Sequence, residues 1–499
     1  MSKFFKLLGG FMSFPFTVFI PYKGNINIRD TANSLRSSKL IEEIYLIADE
    51  SVEVPKSYPV INAISILSTV TLKAMSEETD SEFIILILKP EEIIFEKFSL
   101  NRFLEVAKMT GAGLIYADYY EINENNSTGH SQIDYQLGSI RDDFDFGEVI
   151  VIRKTALEEY LNLGGPDFIY AGLYNLRLFI SRNYSVVRIP EFLYTVKITD
   201  ITESFENQFN YVDPANRTAQ IEMEEAATNH LKQIGAYLEP VFSAADLTDE
   251  TFAYTASVII PVKNREKTIA EAVNSALNQE TDFSFNVIIV DNHSEDGTTE
   301  IIKLLCEKHS RLIHIIPESY SLEIGGCWNE AVFNDHCGKY AVQLDSDDLY
   351  ADKHTLQKII NVFREGKCAM VIGAYKLTDF KLNELPPGII DHKEWTPANG
   401  RNNALRVNGL GAPRAFYTPV IRTIKFPNVS YGEDYSAALA VSRKYEISRI
   451  YEPLYICRRW EGNSDAQLTV EKRNRFNFYK DTVRTYEIKA RQKLNAEKK

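Results

Sequence analysis

Apolar and polar positions along this chain fall into blocks that switch between two periods. Ser257-Val-Ile-Ile260 is a short apolar run leading into Pro261, and Val287 to Val290 is an unbroken apolar run that stops at Asp291. A strand covered on both faces has that pattern. Between them Ile269, Ala272, Val273, Ala276 and Leu277 fall at i, i+3, i+4, i+7 and i+8, which predicts a helix with one buried face. Ile301, Ile302, Leu304 and Leu305 predict another helix, and Tyr340 to Leu344 another buried strand. Strands alternating with helices build an open, doubly wound α/β sheet, whose ligands bind at the carboxyl ends of the strands.

The same order occurs twice. Thr17-Val-Phe-Ile-Pro-Tyr-Lys-Gly24 matches Ser257-Val-Ile-Ile-Pro-Val-Lys-Asn264 at an offset of 240 residues, Asn33-Ser34 matches Asn274-Ser275 at 241, and Tyr45-Leu-Ile-Ala-Asp49 matches Val287-Ile-Ile-Val-Asp291 at 242. Further on, Tyr170-Ala-Gly-Leu-Tyr174 falls on Tyr431-Gly-Glu-Asp-Tyr435, and Arg182-Asn-Tyr184 on Arg443-Lys-Tyr445, both at 261. A whole unit is duplicated, and the second copy has gained about twenty residues inside it. An expected linker helix from Pro214 to Ile234 and a polar stretch from Ser243 to Thr251 put the boundary near residue 250, giving domains 1–250 and 251–499. Both are expected to have Rossmann-like, mostly parallel central sheets.

Composition narrows the class. With 44% hydrophobic and 25% charged residues in 499, the chain has the balance of a globular protein. A net charge of −14 argues against nucleic acid as a partner, since phosphate contacts need clustered Lys and Arg. The cysteines Cys306, Cys327, Cys337, Cys368 and Cys457 are odd in number and lack C-x-x-C spacing, as expected of reduced thiols in a cytoplasmic protein. The apolar start, Phe4 to Ile20, follows Lys3 and Lys6 but is broken by Gly9-Gly10 and Pro15, and its end is expected to be a strand rather than an anchor. No other stretch reaches the ~18 apolar residues of a spanning helix.

The chemistry lies at the strand ends of the second copy: Asn264, Asp291, Asp345-Ser-Asp-Asp348 and Glu433-Asp434. An Asp-x-Asp pair directly after an apolar strand suits an oxygen-seeking divalent cation such as Mn or Mg that also binds phosphates. Taken alone, the same four residues equally suit a solvated turn capping the next helix. Their neighbours change the balance. Val258-Ile-Ile-Pro-Val-Lys-Asn264, Ile288-Ile-Val-Asp-Asn-His-Ser-Glu-Asp-Gly-Thr298, Gly325-Gly-Cys-Trp-Asn-Glu-Ala331, Leu344-Asp-Ser-Asp-Asp348 and Tyr431-Gly-Glu-Asp434 resemble, in order and spacing, the motifs of family 2 inverting glycosyltransferases with the GT-A fold.

That resemblance implies a role for each position. Pro261, Asn264, Asp291, Ser294 and Asp296 would surround the nucleoside, and Asn329 would support the sugar-nucleotide side. Asp345 would serve ribose and metal, with Asp347 and Asp348 as further metal ligands. Asp434 would be the general base, and Glu433 would touch the acceptor or orient Asp434. Arg458 and Arg459, with Asn463-Ser464 after them, would close over the diphosphate. His392 and Trp395, in the Pro-, Gly- and Asn-rich segment Leu385 to Arg414, would face the acceptor. The expected activity is transfer of a sugar from a nucleotide-diphosphate donor to a hydroxyl acceptor, a saccharide that is free or lipid-linked, in polysaccharide or glycoconjugate assembly. A non-catalytic sugar- or nucleotide-binding scaffold and a bifunctional tandem enzyme remain as alternatives.

The first copy lacks these acids. By motif, Leu88-Lys-Pro-Glu-Glu92 corresponds to Leu344-Asp-Ser-Asp-Asp348, and Gly172-Leu173 to Glu433-Asp434, so the first domain is expected to be catalytically silent. At the C-terminus, Phe476, Tyr479, Val483, Tyr486, Ala490 and Leu494 recur at helical spacing, and from Val470 to Lys499 ten Lys/Arg face four Asp/Glu. A basic amphipathic helix of this kind either packs across the domain or rests peripherally on the inner face of a membrane.

Overall fold

The computed structural model describes residues 14–24, 28–63, 65–123, 126–197, 213–248, 251–366, 368–463 and 468–498. The start of the apolar N-terminal run and Ser464 lie outside them. Among the described residues, the first sheet contains β1 Phe16–Pro21, β2 Ile41–Ala48, β3 Val60–Asn62, β4 Phe83–Ile87, β5 Glu92–Phe95, β6 Leu114–Asn123, β7 Asn126–His130, β8 Val149–Arg153 and β9 Val186–Lys197. The second contains β10 Ala256–Val262, β11 Phe285–Asp291, β12 Leu312–Ile315, β13 Tyr340–Gln343, β14 Leu349–Tyr350, β15 Met370–Asp379, β16 Glu384–Ile390, β17 Arg414–Tyr417 and β18 Ile447–Arg459.

The strand orders are β3-β2-β1-β4-β8-β6-β9-β5 and β12-β11-β10-β13-β17-β15-β18-β14, with β7 and β16 added as hairpins on β6 and β15. Each strand of one sheet has a counterpart at the same place in the other, so the chain is an α/β protein with two sheets of similar topology, consistent with tandem GT-A-like domains. Both sheets are mixed around a parallel centre, with β15 and β18, like β6 and β9, also parallel. β12, β11, β10 and β13 run parallel, whereas β17 enters antiparallel to both β13 and β15, and β14 runs against β18. An apolar run reports burial on both faces, which favours a parallel strand but is shared by an antiparallel strand covered on both sides.

Register refines the internal alignment. Phe16 pairs with Phe83 in β1 and β4, and Ala256 pairs with Tyr340 in β10 and β13. Phe83 therefore takes the place of Tyr340, and Leu88 stands where the second copy has Asp345. This is one residue off the motif pairing, which set Lys89 there. Lys89 instead pairs with Glu148 at 2.7 Å, and burial pushes that carboxyl up to about 7.

By compactness, one unit comprises Met1–Tyr135, Phe144–Glu203 and Glu225–His230, and the other Gln136–Asp143, Ser204–Glu224 and Leu231–Lys499. The linker helix runs from Arg217 to Gln233. In the second unit, the C-terminal helix Val470–Glu497 buries Lys480, Asp481, Val483, Arg484, Glu487, Ile488 and Arg491. The apolar spacing thus misassigned its face, and Tyr486 is 66% exposed. Charged side chains go inward because they neutralise one another there: Arg484 meets Asp481 at 2.8 Å, and Arg491 meets Glu487 at 2.7 Å. Among the described residues no helix is long and apolar enough to cross a membrane.

Val258 to Ile260 and Val287 to Val290 are fully buried, so the two central strands of the second sheet carry its core and fix where their carboxyl ends lie. Ile289→Ala should lower the stability of the second unit by about 2–5 kcal/mol. Urea unfolding followed by tryptophan fluorescence checks this, because Trp328, Trp395 and Trp460 all belong to that unit.

Candidate functional site

The carboxyl ends of β10, β11 and β13 meet a helix start and the end of β18, and the expected acids come from these segments. After β10, Asn264 adopts φ 54°, an unusual conformation outside glycine that asparagine tolerates. Its backbone N–H donates to Ser294 Oγ at 3.0 Å, and its side-chain oxygen accepts from Glu295 N at 2.8 Å. At the end of β11, Asp291 is fully buried and accepts from Ser294 N at 3.0 Å, Thr299 Oγ1 at 2.5 Å and His314 Nε2 at 3.3 Å. Burial raises its pKa, but these donors outweigh it and hold the carboxyl below the ordinary range. Asp296, just before the next helix, accepts from Thr298 N at 2.9 Å and from Glu266 N at 3.1 Å. Asn264, Ser294 and Asp296 therefore belong to one interlocked pair of loops anchored by Asp291 at the end of β11, while Pro261 lies within β10 opposite Val290. Asn329 stands apart, exchanging bonds with the backbone of Phe426 at 2.8 and 3.0 Å.

Asp345 follows β13. Gln343 holds both of its carboxylate oxygens, at 2.9 and 3.0 Å, and the same Gln343 side chain accepts from Arg414 N at 3.2 Å. Arg414 in turn pairs with Asp434 at 2.8 Å. A continuous polar chain thus joins the strand-end acid to the helix-start acid. Asp347 accepts from Asn463 Nδ2 at 3.1 Å and Trp460 Nε1 at 3.2 Å, with Arg265 Nε at 3.7 Å. Asp348 accepts from the backbone N–H of Arg458 at 2.8 Å. Burial and the neighbouring carboxylates push Asp348 well above the usual range. Asp345 is also raised, by burial and by Asp347 and Asp434, although Arg414 opposes the shift.

The helix Glu433–Ser442 begins at Gly432, whose φ of 89° makes the sharp entry. Acidic residues in a first turn suit the helix dipole. Glu433 is buried, and burial together with the charge of Asp434 pushes it up to about 8. Gly325 is a second constraint here, because a Cβ on it would lie 1.9 Å from Pro427 O and 3.0 Å from Glu433 Cβ.

The remaining expected residues lie apart from this cluster or behind it. Arg458 is buried and its Nε donates to Asp347 O at 2.5 Å, while its guanidinium pairs closely with Glu271 and covers Phe380 at 4.9 Å. It braces the acidic loop from behind. Arg459 is half-buried. His392 is buried at φ 51° with Nδ1 3.2 Å from Glu394. Trp395 is fully buried, its ring under Arg449 at 4.8 Å, so it packs the segment rather than facing an acceptor. Sequence reasoning missed Arg414, Gln343, Arg265 and Trp460. Trp460 directly follows the Arg458-Arg459 pair, which was the available signal; Arg414 had none.

Among the described residues, no three His, Cys, Asp or Glu side chains gather closely enough to enclose a metal on protein ligands alone. The hard carboxylate oxygens of Asp345, Asp347 and Asp348 are the donor type a divalent cation takes when phosphates supply its other ligands.

The Glycosyl transferase family 2 model matches residues 257–424. The chain is 26% identical over 234 residues to a poly(ribitol-phosphate) beta-glucosyltransferase of Bacillus spizizenii, covering 46% of this chain and only 36% of that protein. It is 27% identical over 199 residues to a UDP-Glc:alpha-D-GlcNAc-diphosphoundecaprenol beta-1,3-glucosyltransferase of Escherichia coli, covering 40% and 73%. Among solved structures, the complex of Staphylococcus aureus TarS 1-349 with UDP-GlcNAc matches at 24% identity and a TM-score of 0.36, covering 48% of this chain and 72% of that one.

Glu433 has a folded pKa above its unfolded value, so the folded state holds the extra proton between about 4.5 and about 8 and loses stability as pH rises through that window. Glu433→Gln should remove this loss, so thermal unfolding at pH 9 relative to pH 6 should favour the variant over the parent.

Proposed function

Residues 257–424 are a glycosyl transferase family 2 domain, and from that premise we propose that this chain transfers a sugar from a nucleotide-diphosphate donor to a hydroxyl acceptor with inversion at the anomeric carbon. The observation that carries the reading is the polar chain Asp345–Gln343–Arg414–Asp434, which sets a donor-side acid and a helix-start acid at one end of one sheet.

Asp434 is the general base. Arg414 fixes its orientation, and its carboxylate removes the proton as the acceptor oxygen attacks carbon 1 and the diphosphate leaves. The interlocked loops at Asn264 and Asp291 would hold the nucleoside, and Arg265, 3.7 Å from Asp347, would meet the diphosphate. Asp345 and Asp347, with Asp348 beside them, are the residues that would hold a divalent cation, Mn or Mg, together with the donor's phosphates, and such a cation would supply positive charge to the leaving diphosphate. A UDP-sugar and a lipid-linked saccharide are the donor and acceptor that the Escherichia coli relative's name supports. The N-terminal unit serves as a silent copy.

Asp434→Asn should reduce turnover by about 10²–10⁴-fold while leaving nucleotide binding intact. Partial loss would instead favour activity in both halves, and no loss would sink the assignment. In a thermal-shift screen of nucleotide sugars, a donor at a hundred times its Kd should stabilise by about 2.7 kcal/mol. The shift should need manganese or magnesium and should vanish in Asp345→Asn and Asp347→Asn. A shift that ignores the metal in the parent protein overturns the cation assignment.

A further inference from the structure

We propose that the C-terminal helix is a positioning element for the loop Tyr431–Asp434, with Lys480 as the residue that holds the loop and Gln136–Asp143 as the segment that holds the helix. The proposal rests on Asp434 as the base. Lys480 is buried although it is a lysine, and its ammonium donates to Asn408 O at 2.7 Å. The same ammonium lies 4.2 Å from the centre of the Tyr431 ring and 5.7 Å from that of Tyr435, on either side of Gly432-Glu433-Asp434. Its stem lies against Gly432, where a Cβ would come within 3.2 Å of Lys480 Cγ. Phe476, one turn earlier, stacks on Tyr431 at 4.5 Å. One turn later, Arg484 Nε donates to Tyr435 OH at 2.9 Å, and that hydroxyl donates to Ala404 O at 2.5 Å. Three successive turns of the helix thus grip both sides of the two acids.

Gln136–Asp143 comes from the N-terminal half of the chain but packs within the second unit. Asp481 is fully buried and takes Arg484 Nη1 at 2.8 Å, Arg141 Nε at 3.1 Å and Ser139 Oγ at 2.9 Å. Two of these three donors come from the segment. Gly138 N donates to Thr485 Oγ1 at 2.8 Å, and the backbones approach so closely that a Cβ on Gly138 would meet Asp481 O at 2.0 Å and Thr485 N at 2.4 Å. Arg406 also pairs closely with Asp142. A buried carboxylate tied to two guanidiniums fixes register more than it adds stability, and removing one partner leaves a buried charge uncompensated. The segment therefore sets how far the helix can slide, and the helix sets where Gly432 places the acids.

The test uses the full chain with Lys480→Met, Lys480→Arg and Gly138→Ala, read by hydrogen–deuterium exchange over Tyr431–Leu439. Exchange there should quicken by at least about tenfold in Lys480→Met and Gly138→Ala and return near the parent rate in Lys480→Arg, with β10 and β11 unchanged. Turnover of the donor found in the metal screen should fall by about tenfold in kcat, with donor KM held within about threefold. Unchanged exchange over Tyr431–Leu439, equal acceleration in every strand, or no rescue by arginine overturns the proposal. An Asp434→Asn chain that keeps full turnover overturns the base assignment while leaving the exchange result standing, so the two failures are separable.

Discussion

Gathering like charges in a poorly solvated place is the constraint on which the second unit is organised. Asp345, Asp347, Asp348, Glu433 and Asp434 share one end of a sheet whose strands are buried, and burial together with mutual repulsion raises three of them, Asp345, Asp348 and Glu433. Such a group persists only if cations and donors are fixed around it. Arg414 supplies the charge between the two acidic clusters, pairing with Asp434 and acting through its field on Asp345 and Glu433. Gln343, Trp460, Asn463 and the backbone of Arg458 supply the donors.

Much of the surrounding architecture follows from keeping those donors still. Arg458 spends its guanidinium on Glu271 and Asp347 O, so the acidic loop is clamped through backbone as well as side chain. Gly325 is small where it packs against Pro427 and Glu433, and Gly432 is small where Lys480 packs against it. Positive φ at Asn264 and His293 turns the loops after β10 and β11 into each other. These are local strains that the fully buried strands β10 and β11 can support.

What was legible in the sequence was what is encoded locally. Val287 to Val290 announced a buried strand, its end announced Asp291, and the Asp345–Asp348 run could be located because its acids are adjacent in the chain. Arg414 was illegible because its partners, Gln343 and Asp434, meet it only through the fold, and neither a helical nor a strand period marks it. The antiparallel entry of β17 between β13 and β15 was illegible for a related reason. The C-terminal helix failed differently. Apolar spacing assumes that charge faces water, whereas Asp481, Arg484, Glu487 and Arg491 satisfy one another inside. Trp395 was expected at an acceptor because its segment resembles the acceptor-facing part of family 2 enzymes, yet its ring fills the space beneath Arg449.

The duplication separates what the fold demands from what chemistry demands. Both sheets keep the same strand order, so the apolar pattern is enough to specify the topology twice. The acids are a separate layer, and in the first copy the places they would occupy are closed. Gly172 sits where the second copy has Glu433, but a Cβ there would meet Thr69 N at 2.4 Å and Leu67 O at 2.6 Å. Leu173, at the place of Asp434, packs against the apolar core of its own unit. Near the strand end, Lys89 is occupied with Glu148. Putting carboxylates back would therefore require moving backbone at the helix start and leaving a buried charge without a partner, which is a larger change than two substitutions. A shared fold gives no chemistry of its own, and here one chain shows why: the topology tolerates either electrostatic set, but the packing at Gly172 admits only one.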